Sequence, residues 1–305
     1  MQENIKLLLS AIKQGDLHAL ARGITIIENS LQGSEQLLML LENTHKTRVV
    51  GVTGPPGAGK STLVNALLSH WLAQNKKIAV LAVDPSSPFN YGAILGDRIR
   101  MSNYYTHPGI FIRSLATRGA LGGLNANIIE VTDLVKNAPF DIVVIETVGV
   151  GQSEVEIAGL ADCTIVTLVP ESGDEIQTLK AGIMEIADIF VVNKADRDAA
   201  ETLYMNLKIM AHENAHNTPE TPVIKTIATE NSGIEELAQS IDTCLHGEKN
   251  NTHKHIQLLA EKCWQLVQAE KMKNINSEQL FADLKEAIQD PLFNIYLFAK
   301  KYTGK

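Results

Sequence analysis

The chain has 305 residues, of which 45% are hydrophobic and 20% charged, which is typical of a globular protein with a large core. Its formal net charge of −8 argues against a protein that coats nucleic acid, and no apolar run approaches the roughly eighteen residues of a membrane span. The first residues lack the pattern of an export or organelle-targeting segment, so we expect a cytoplasmic protein without nucleic-acid or membrane partners. Three widely separated cysteines, Cys163, Cys244 and Cys263, favour reduced thiols over a disulfide framework, and we interpret Cys163 and Cys263 as core residues.

Helical and strand-forming segments divide the chain into three parts. Residues 1–45 are predicted to form two or three amphipathic helices, with Asp16 as an N-cap. Residues 46–247 alternate helical stretches with apolar strands at RVVGVTG, KKIAVLAVD, GIFIRSL, DIVVIET, CTIVTLVP, DIFVVNK and TPVIKTIA. This alternation predicts an α/β domain, a mainly parallel sheet covered by helices on both faces. Residues 248–305 are helical again, and Asp290-Pro291 is predicted to begin the last helix.

The stretch GVTGPPGAGKST, residues 51–62, has the G-x-x-x-x-G-K-[ST] spacing of a P-loop between a strand and a helix. Glycines let successive backbone N–H groups surround a phosphate at a helix N-terminus, where the helix dipole favours negative charge. Lys60 is expected to reach the β- and γ-phosphates, and the Ser61 hydroxyl to bind Mg²⁺. The predicted phosphate-binding residues are Gly54, Pro55, Pro56, Gly57, Ala58, Gly59, Lys60, Ser61 and Thr62.

Acidic residues follow two other strands of the predicted sheet. Asp84 ends one strand, Asp97 lies further along the same connection, and Glu146 ends another strand. Because Mg²⁺ takes hard oxygen ligands and keeps several waters, one or two carboxylates beside the phosphates suffice. We predict that these acids bind the metal and position water for phosphoryl transfer, beside a glycine turn at Gly149 and Gly151.

The segment NKAD follows the strand DIFVV and predicts the base. The Asp196 carboxylate can accept hydrogen bonds from the guanine N1–H and 2-amino groups, which adenine does not offer in that arrangement. Asn193 and Lys194 would shape the pocket and stack along the ring. The predicted nucleotide is therefore GTP.

Six segments in order resemble the MeaB/ArgK/MMAA family of G3E (SIMIBI-class) P-loop GTPases. They are GVTGPPGAGKSTL, DPSSP with ILGDRIRM, FIRSLATRG, ETVGVGQSE, GDEIQTLKAGIMEIAD and VVNKAD. The resemblance runs from the N-terminal helices to about residue 233. It implies a homodimeric GTPase chaperone that gates cofactor loading and protects an adenosylcobalamin-dependent acyl-CoA mutase such as methylmalonyl-CoA mutase. It also implies that residues 248–305 form a dimerisation arm and that the cofactors are GTP or GDP and Mg²⁺.

The resemblance also assigns roles to single residues. Lys60, Asp84, Asp97 and Glu146 would act in GTP hydrolysis, and Lys180 would be the signalling lysine of a third switch that couples the nucleotide to the mutase. Asn193, Lys194 and Asp196 would read guanine, and the backbone of Ala228 would contact the base.

The sequence departs from the family at three places. Asn90-Tyr91-Gly92-Ala93 replaces a Gly-Gly-Ser-like turn of a switch loop, and losing glycines there reduces access to positive φ. Ile227-Ala228 replaces Ser-Ala near the base. Glu171-Ser172 replaces Gly-Ala at the start of the third switch, so the client can differ from the usual mutase.

Two alternative functions remain open at this point, a nickel-delivery GTPase for metalloenzyme maturation and a P-loop kinase. The first needs a Cys/His cluster near the switches, and the chain shows none in its sequence pattern. HENAH, residues 212–216, matches a zinc-peptidase pattern, but no third ligand stands out downstream of it. Arg113 and Arg118 are interpreted as solvated or structural residues and not as arginine fingers.

Overall fold

The structure is a computed structural model. It describes residues 2–42, 47–84, 101, 104, 107–117, 125, 127–149, 153–172, 185–214, 220–247, 252–272, 275–289 and 293–302.

A seven-stranded, all-parallel sheet forms the centre of the fold. Its strands are β1 Arg48–Thr53, β2 Ile78–Asp84, β3 Ile110–Ala116, β4 Ile142–Glu146, β5 Cys163–Leu168, β6 Ile189–Asn193 and β7 Val223–Thr226. They lie in the order β3-β2-β4-β1-β5-β6-β7. Six of them are apolar along most of their length, as expected for parallel strands buried on both faces. All seven predicted strands, and the predicted α/β class, are confirmed.

Eleven helices are found in the described part of the chain, together with short 3-10 turns at Pro170–Ser172 and Ala228–Glu230. The helices are α1 Gln2–Lys13, α2 Leu17–Glu28, α3 Ser34–Met39, α4 Lys60–Ala73, α5 Ile128–Lys136, α6 Ser153–Leu160, α7 Ala200–Asn214, α8 Ile234–His246, α9 Thr252–Met272, α10 Ser277–Ala287 and α11 Ile295–Lys300.

Apolar side chains bury both faces of the sheet. One cluster joins the N-terminal helices and α5 to the sheet and includes Leu20, Ile24, Leu134 and Val143. The other face packs against α4 and α8 through a cluster that includes Leu67, Trp71, Val144 and Ile241. Burial of this apolar surface is the main contribution to the stability of the fold. Because all the strands run parallel, their carboxyl ends lie at the same edge of the sheet.

The N-terminal helices are integral to this core. Asp16 caps α2 as predicted, because its Oδ1 accepts hydrogen bonds from the backbone N–H groups of His18 (2.8 Å) and Ala19 (3.0 Å). Arg113 on β3 donates from Nη2 to Glu28 Oε2 at 2.8 Å, and the Glu28 side chain is only 6% exposed. The interpretation of Arg113 as a structural residue is therefore confirmed.

The chain forms two compact units, Met1–His255 and Ile256–Lys305. In the second unit the predicted start of the last helix at Asp290-Pro291 is wrong. The described helix begins at Ile295, because Asn294 is extended and its Oδ1 accepts hydrogen bonds from the backbone N–H groups of Tyr296 and Leu297. Cys263 was expected in a core but is exposed on α9. No helix among the described residues is long and apolar enough to cross a bilayer.

Candidate nucleotide-binding site

The loop between β1 and α4 contains three glycines whose backbone conformation is unfavourable for other residues. Gly54, Gly57 and Gly59 have φ values of +138°, +79° and +85°. A Cβ on Gly54 would lie 2.0 Å from the Thr167 carbonyl oxygen, and one on Gly59 would lie 2.4 Å from Asn193 Nδ2. The glycines at the two ends of the P-loop motif thus allow the loop to lie directly against β5 and β6.

Lys60 is the first residue of α4, and its ammonium group lies within the loop. Nζ donates hydrogen bonds to the carbonyl oxygens of Gly54 (2.8 Å) and Pro55 (3.1 Å). A Cβ on Gly149, which follows β4 and has a φ of +85°, would lie 2.6 Å from Nζ. The lysine is therefore enclosed between the P-loop and the turn after β4, where its charge can neutralise a phosphate.

Oxygen ligands converge beside this lysine. Ser61 Oγ donates to Glu146 Oε1 at 2.6 Å, which joins the start of α4 to the end of β4. Asp84 ends the neighbouring strand β2 and, like Ser61 and Glu146, is buried. A hydroxyl at the start of α4 and two carboxylates at the ends of neighbouring strands are hard oxygen donors, so this donor set fits a Mg²⁺ ion that retains several waters.

Two threonines connect the carboxyl ends of β1 and β4 beside the P-loop. The sequence analysis did not identify them. Thr53 Oγ1 and Thr147 Oγ1 share a buried hydrogen bond of 2.9 Å, and the Thr147 N–H donates to the Val52 carbonyl at 3.0 Å. These contacts hold the turn after β4 against β1. The only sequence signal was the position of Thr147 directly after the strand.

Asn193, at the end of β6, connects three parts of the site. Its Nδ2 donates to the Ala58 carbonyl at 2.9 Å. Its Oδ1 accepts from Thr226 Oγ1 (3.1 Å) and from the Ala228 backbone N–H (3.3 Å). The side chain is almost fully buried, so the P-loop, β6 and the segment after β7 are held in one arrangement.

Lys194, the second residue of the NKAD segment, also contacts the P-loop. Lys194 has a φ of +57°, and its Nζ donates to the Gly57 carbonyl at 2.8 Å. Asp196 is exposed. Arg197, which directly follows the motif and which sequence reasoning missed, forms an ion pair with Glu171 in the Pro170–Ser172 turn. The hydrogen bond from this guanidinium lowers the pKa of the Glu171 carboxyl from its ordinary value.

Several predicted residues lie outside the described residues. These are Asp97, Lys180, Gly151, Arg118, the departure at positions 90–93 and the second histidine of HENAH, His216.

An all-parallel sheet, a glycine loop leading into α4, an enclosed lysine and an NKAD segment that contacts this loop define a P-loop nucleotide-binding protein. The family model described as methylmalonyl Co-A mutase-associated GTPase MeaB matches residues 20–280. The chain therefore belongs to the MeaB family, is a GTPase and binds guanine nucleotide.

Individual proteins and a solved structure are also similar to this chain. A putative GTPase of Pyrococcus abyssi is 44% identical over 239 residues, which cover 77% of this chain and 74% of the relative. A methylmalonic aciduria type A homolog, mitochondrial, of Caenorhabditis elegans is 39% identical over 212 residues, which cover 64% of this chain and 53% of the relative. A crystal structure described as LAO/AO transport system kinase superposes with a TM-score of 0.70 at 26% identity and covers 100% of this chain and 98% of that one.

Proposed function

We propose that residues 54–62 bind the phosphates of GTP and GDP and that Ser61, Asp84, Asp97 and Glu146 hold Mg²⁺. The buried hydrogen bond between Ser61 and Glu146 supports this assignment, because it joins two of these oxygen donors beside the phosphate loop. The bound ion would neutralise charge on the phosphate oxygens. Lys60 would add a second positive charge, and the buried carboxylates would orient water for attack on the γ-phosphate.

The same proposal assigns base recognition to the NKAD segment. Asp196 would accept hydrogen bonds from the guanine N1–H and 2-amino groups, and the Lys194 stem would lie along the ring. Asn193 would hold the Ala228 backbone at the pocket, and its buried contacts support this role. A base that lacks these donors would leave the acceptors of the pocket without hydrogen bonds. The pocket therefore discriminates strongly against such a base.

At the level of biology, we infer that the protein is a GTP-hydrolysing chaperone that gates cofactor loading into an adenosylcobalamin-dependent acyl-CoA mutase and protects that enzyme. The family match over residues 20–280 carries the proposal, because the family is described as mutase-associated. The name of the Caenorhabditis elegans relative, which refers to methylmalonic aciduria, also supports a role beside such a mutase. The protein would act in the cytoplasm.

A route from nucleotide to client is part of this proposal. The ion pair between Arg197 and Glu171 links the base-reading segment to the start of the third switch. Lys180, further along that switch, would then signal the nucleotide state to the mutase. Glu171 stands where the family favours glycine, so the strength of this link would be particular to this chain.

We also propose a homodimer formed through residues 248–305, with residues 1–45 as a helical extension and residues 46–247 as the GTPase domain. Support comes from the large apolar side chains that this C-terminal segment exposes. Within Ile256–Lys305 they are Ile256, Leu259, Trp264, Leu266, Val267, Met272, Phe281, Ile288, Ile295, Tyr296 and Leu297. An exposed apolar surface of this extent is typical of a protein–protein interface.

Nucleotide-dependent capture from native cytosol tests the proposed function. The immobilised protein is loaded with a non-hydrolysable GTP analogue or with GDP, and co-eluting proteins are identified and assayed for bound cobalamin. We expect a cobalamin-dependent acyl-CoA mutase with the GTP analogue and its loss with GDP. An Asp196→Asn variant provides the matched control, because it should retain the mutase only with the xanthine form of the analogue. Recovery of a nickel-enzyme precursor, or no partner in either state, would contradict the mutase role.

A further inference from the structure

Three side chains that can bind a metal converge away from the nucleotide site. Cys163 begins β5, Asp188 directly precedes β6, and Cys244 lies on α8. The two Sγ atoms and a carboxylate oxygen of Asp188 all lie within 4.8 Å of one another. Thr167, whose carbonyl faces Gly54, lies about 13 Å further along the extended strand β5. The group is therefore separate from the P-loop and from the proposed Mg²⁺ ligands.

The fold holds the two strand residues of this group in place. Cys163 is fully buried in the core cluster that also contains Trp71. Asp188 Oδ2 accepts a hydrogen bond from the Thr164 N–H at 2.7 Å, and the Asp188 N–H donates to the Thr164 carbonyl at 2.9 Å. The carboxylate is thus oriented by the residue next to Cys163, in the way that outer hydrogen bonds orient metal ligands.

Cys244 reaches the same point from the helix layer. It is partly buried, and its Sγ lies 4.0 Å from the Asp162 carbonyl oxygen, within reach of a weak S–H donor. Ile241 and Leu245 on the same helix are buried in the core, which fixes the position of α8 against the sheet. The three ligands therefore come from three elements that are already packed together.

We propose that Cys163, Cys244 and Asp188 form a binding site for a thiophilic divalent cation of the zinc class. In a tetrahedral centre with Zn–S bonds of about 2.3 Å, ligand atoms lie about 3.8 Å apart, so small side-chain adjustments suffice. Binding transfers one proton from each thiol to solvent, and two thiolates and one carboxylate then bind the ion. Water would occupy the fourth position, since Cys244 and Asp188 are only partly buried.

The sulfur ligands select against Mg²⁺, which prefers oxygen. The bound ion would link α8 to β5 and β6, the strands whose other ends support the P-loop and the NKAD segment. Its expected effect is a more stable first unit, because a ligand that binds only the folded state raises the free energy of unfolding. This site does not depend on the proposed mutase role.

Cobalt titration of the full, reduced chain tests the site directly. Saturating GDP and Mg²⁺ are included to occupy the nucleotide site. We expect one Co²⁺ per chain with a thiolate-to-cobalt charge-transfer band, loss of that band on adding Zn²⁺, and a higher melting temperature with Zn²⁺. Cys244→Ala should abolish the band, and Asp188→Asn should weaken binding at least about tenfold.

Cys263→Ser is the matched control, because this exposed cysteine lies outside the group and its loss should leave the band unchanged. Retained GDP binding shows that the Cys244→Ala variant is folded. Three results would overturn the proposal. They are no thiolate band in the wild-type chain, a band that survives Cys244→Ala, and a band that depends on Cys263.

Discussion

Asn193→Ala removes the side chain that joins three parts of the nucleotide site. The asparagine is 2% exposed and makes three hydrogen bonds, to Ala58, Thr226 and Ala228. At about 1 kcal/mol net for each bond, the variant should lose about 3 kcal/mol of unfolding free energy. The unpaired groups of the P-loop and of Ala228 should also weaken GDP binding.

Denaturant unfolding measures this loss. A Trp264→Phe background leaves Trp71, which is fully buried beside the sheet, as the single tryptophan reporter of the first unit. Thr226→Val is the matched control, since it keeps the side-chain shape and removes one of the three bonds, for a loss of about 1 kcal/mol. In the double variant the two losses should not add, because both remove the same bond. A loss for Asn193→Ala no larger than that for Thr226→Val would refute this reasoning.

Three further variants test other parts of the structure. Gly149→Ala should abolish high-affinity GDP binding in a fluorescent-nucleotide titration, because the added Cβ would lie 2.2 Å from the Gly54 carbonyl oxygen at a positive φ; wild-type affinity would contradict this. Arg113→Ala should lower the unfolding free energy by about 2 kcal/mol, because it removes the ion pair of the buried Glu28 carboxylate; in the control, adding Glu28→Gln should restore much of the lost free energy. Trp264→Lys should convert the proposed dimer to a monomer in sedimentation, since this side chain is 65% exposed in the single chain, and an unchanged mass would argue against that interface.

Local sequence patterns were sufficient to predict the strands of the sheet, the P-loop and one helix cap. The strands could be located from short apolar runs, because strands of a parallel sheet are buried on both faces and alternate with helices. The P-loop could be predicted because its glycine spacing serves backbone geometry, as the positive φ values of Gly54 and Gly59 confirm. Asp16 could be identified as an N-cap because capping depends only on hydrogen bonds to residues two and three positions later in the sequence.

Other features depend on contacts between distant residues. Asn193 was predicted to shape the base pocket, but its bonds to Ala58 and Thr226 require the sheet order, which the sequence does not display. The Cys163, Cys244 and Asp188 group was missed for the same reason. The last helix was placed too early because Asp-Pro is a common start signal, whereas Asn294 provides the cap.

Hydrolysis of GTP and XTP by the wild-type chain and by Asp196→Asn tests the central claim most directly. Xanthine carries a 2-oxo group, which accepts a hydrogen bond from an asparagine amide and repels a carboxylate. The wild-type chain should prefer GTP and release phosphate without a phosphorylated acceptor. The variant should reverse that preference in kcat/KM by at least about tenfold, since hydrogen bonds to a charged group contribute about 1.5–3 kcal/mol. An unchanged preference for GTP in the variant would contradict the proposed reading of guanine by Asp196.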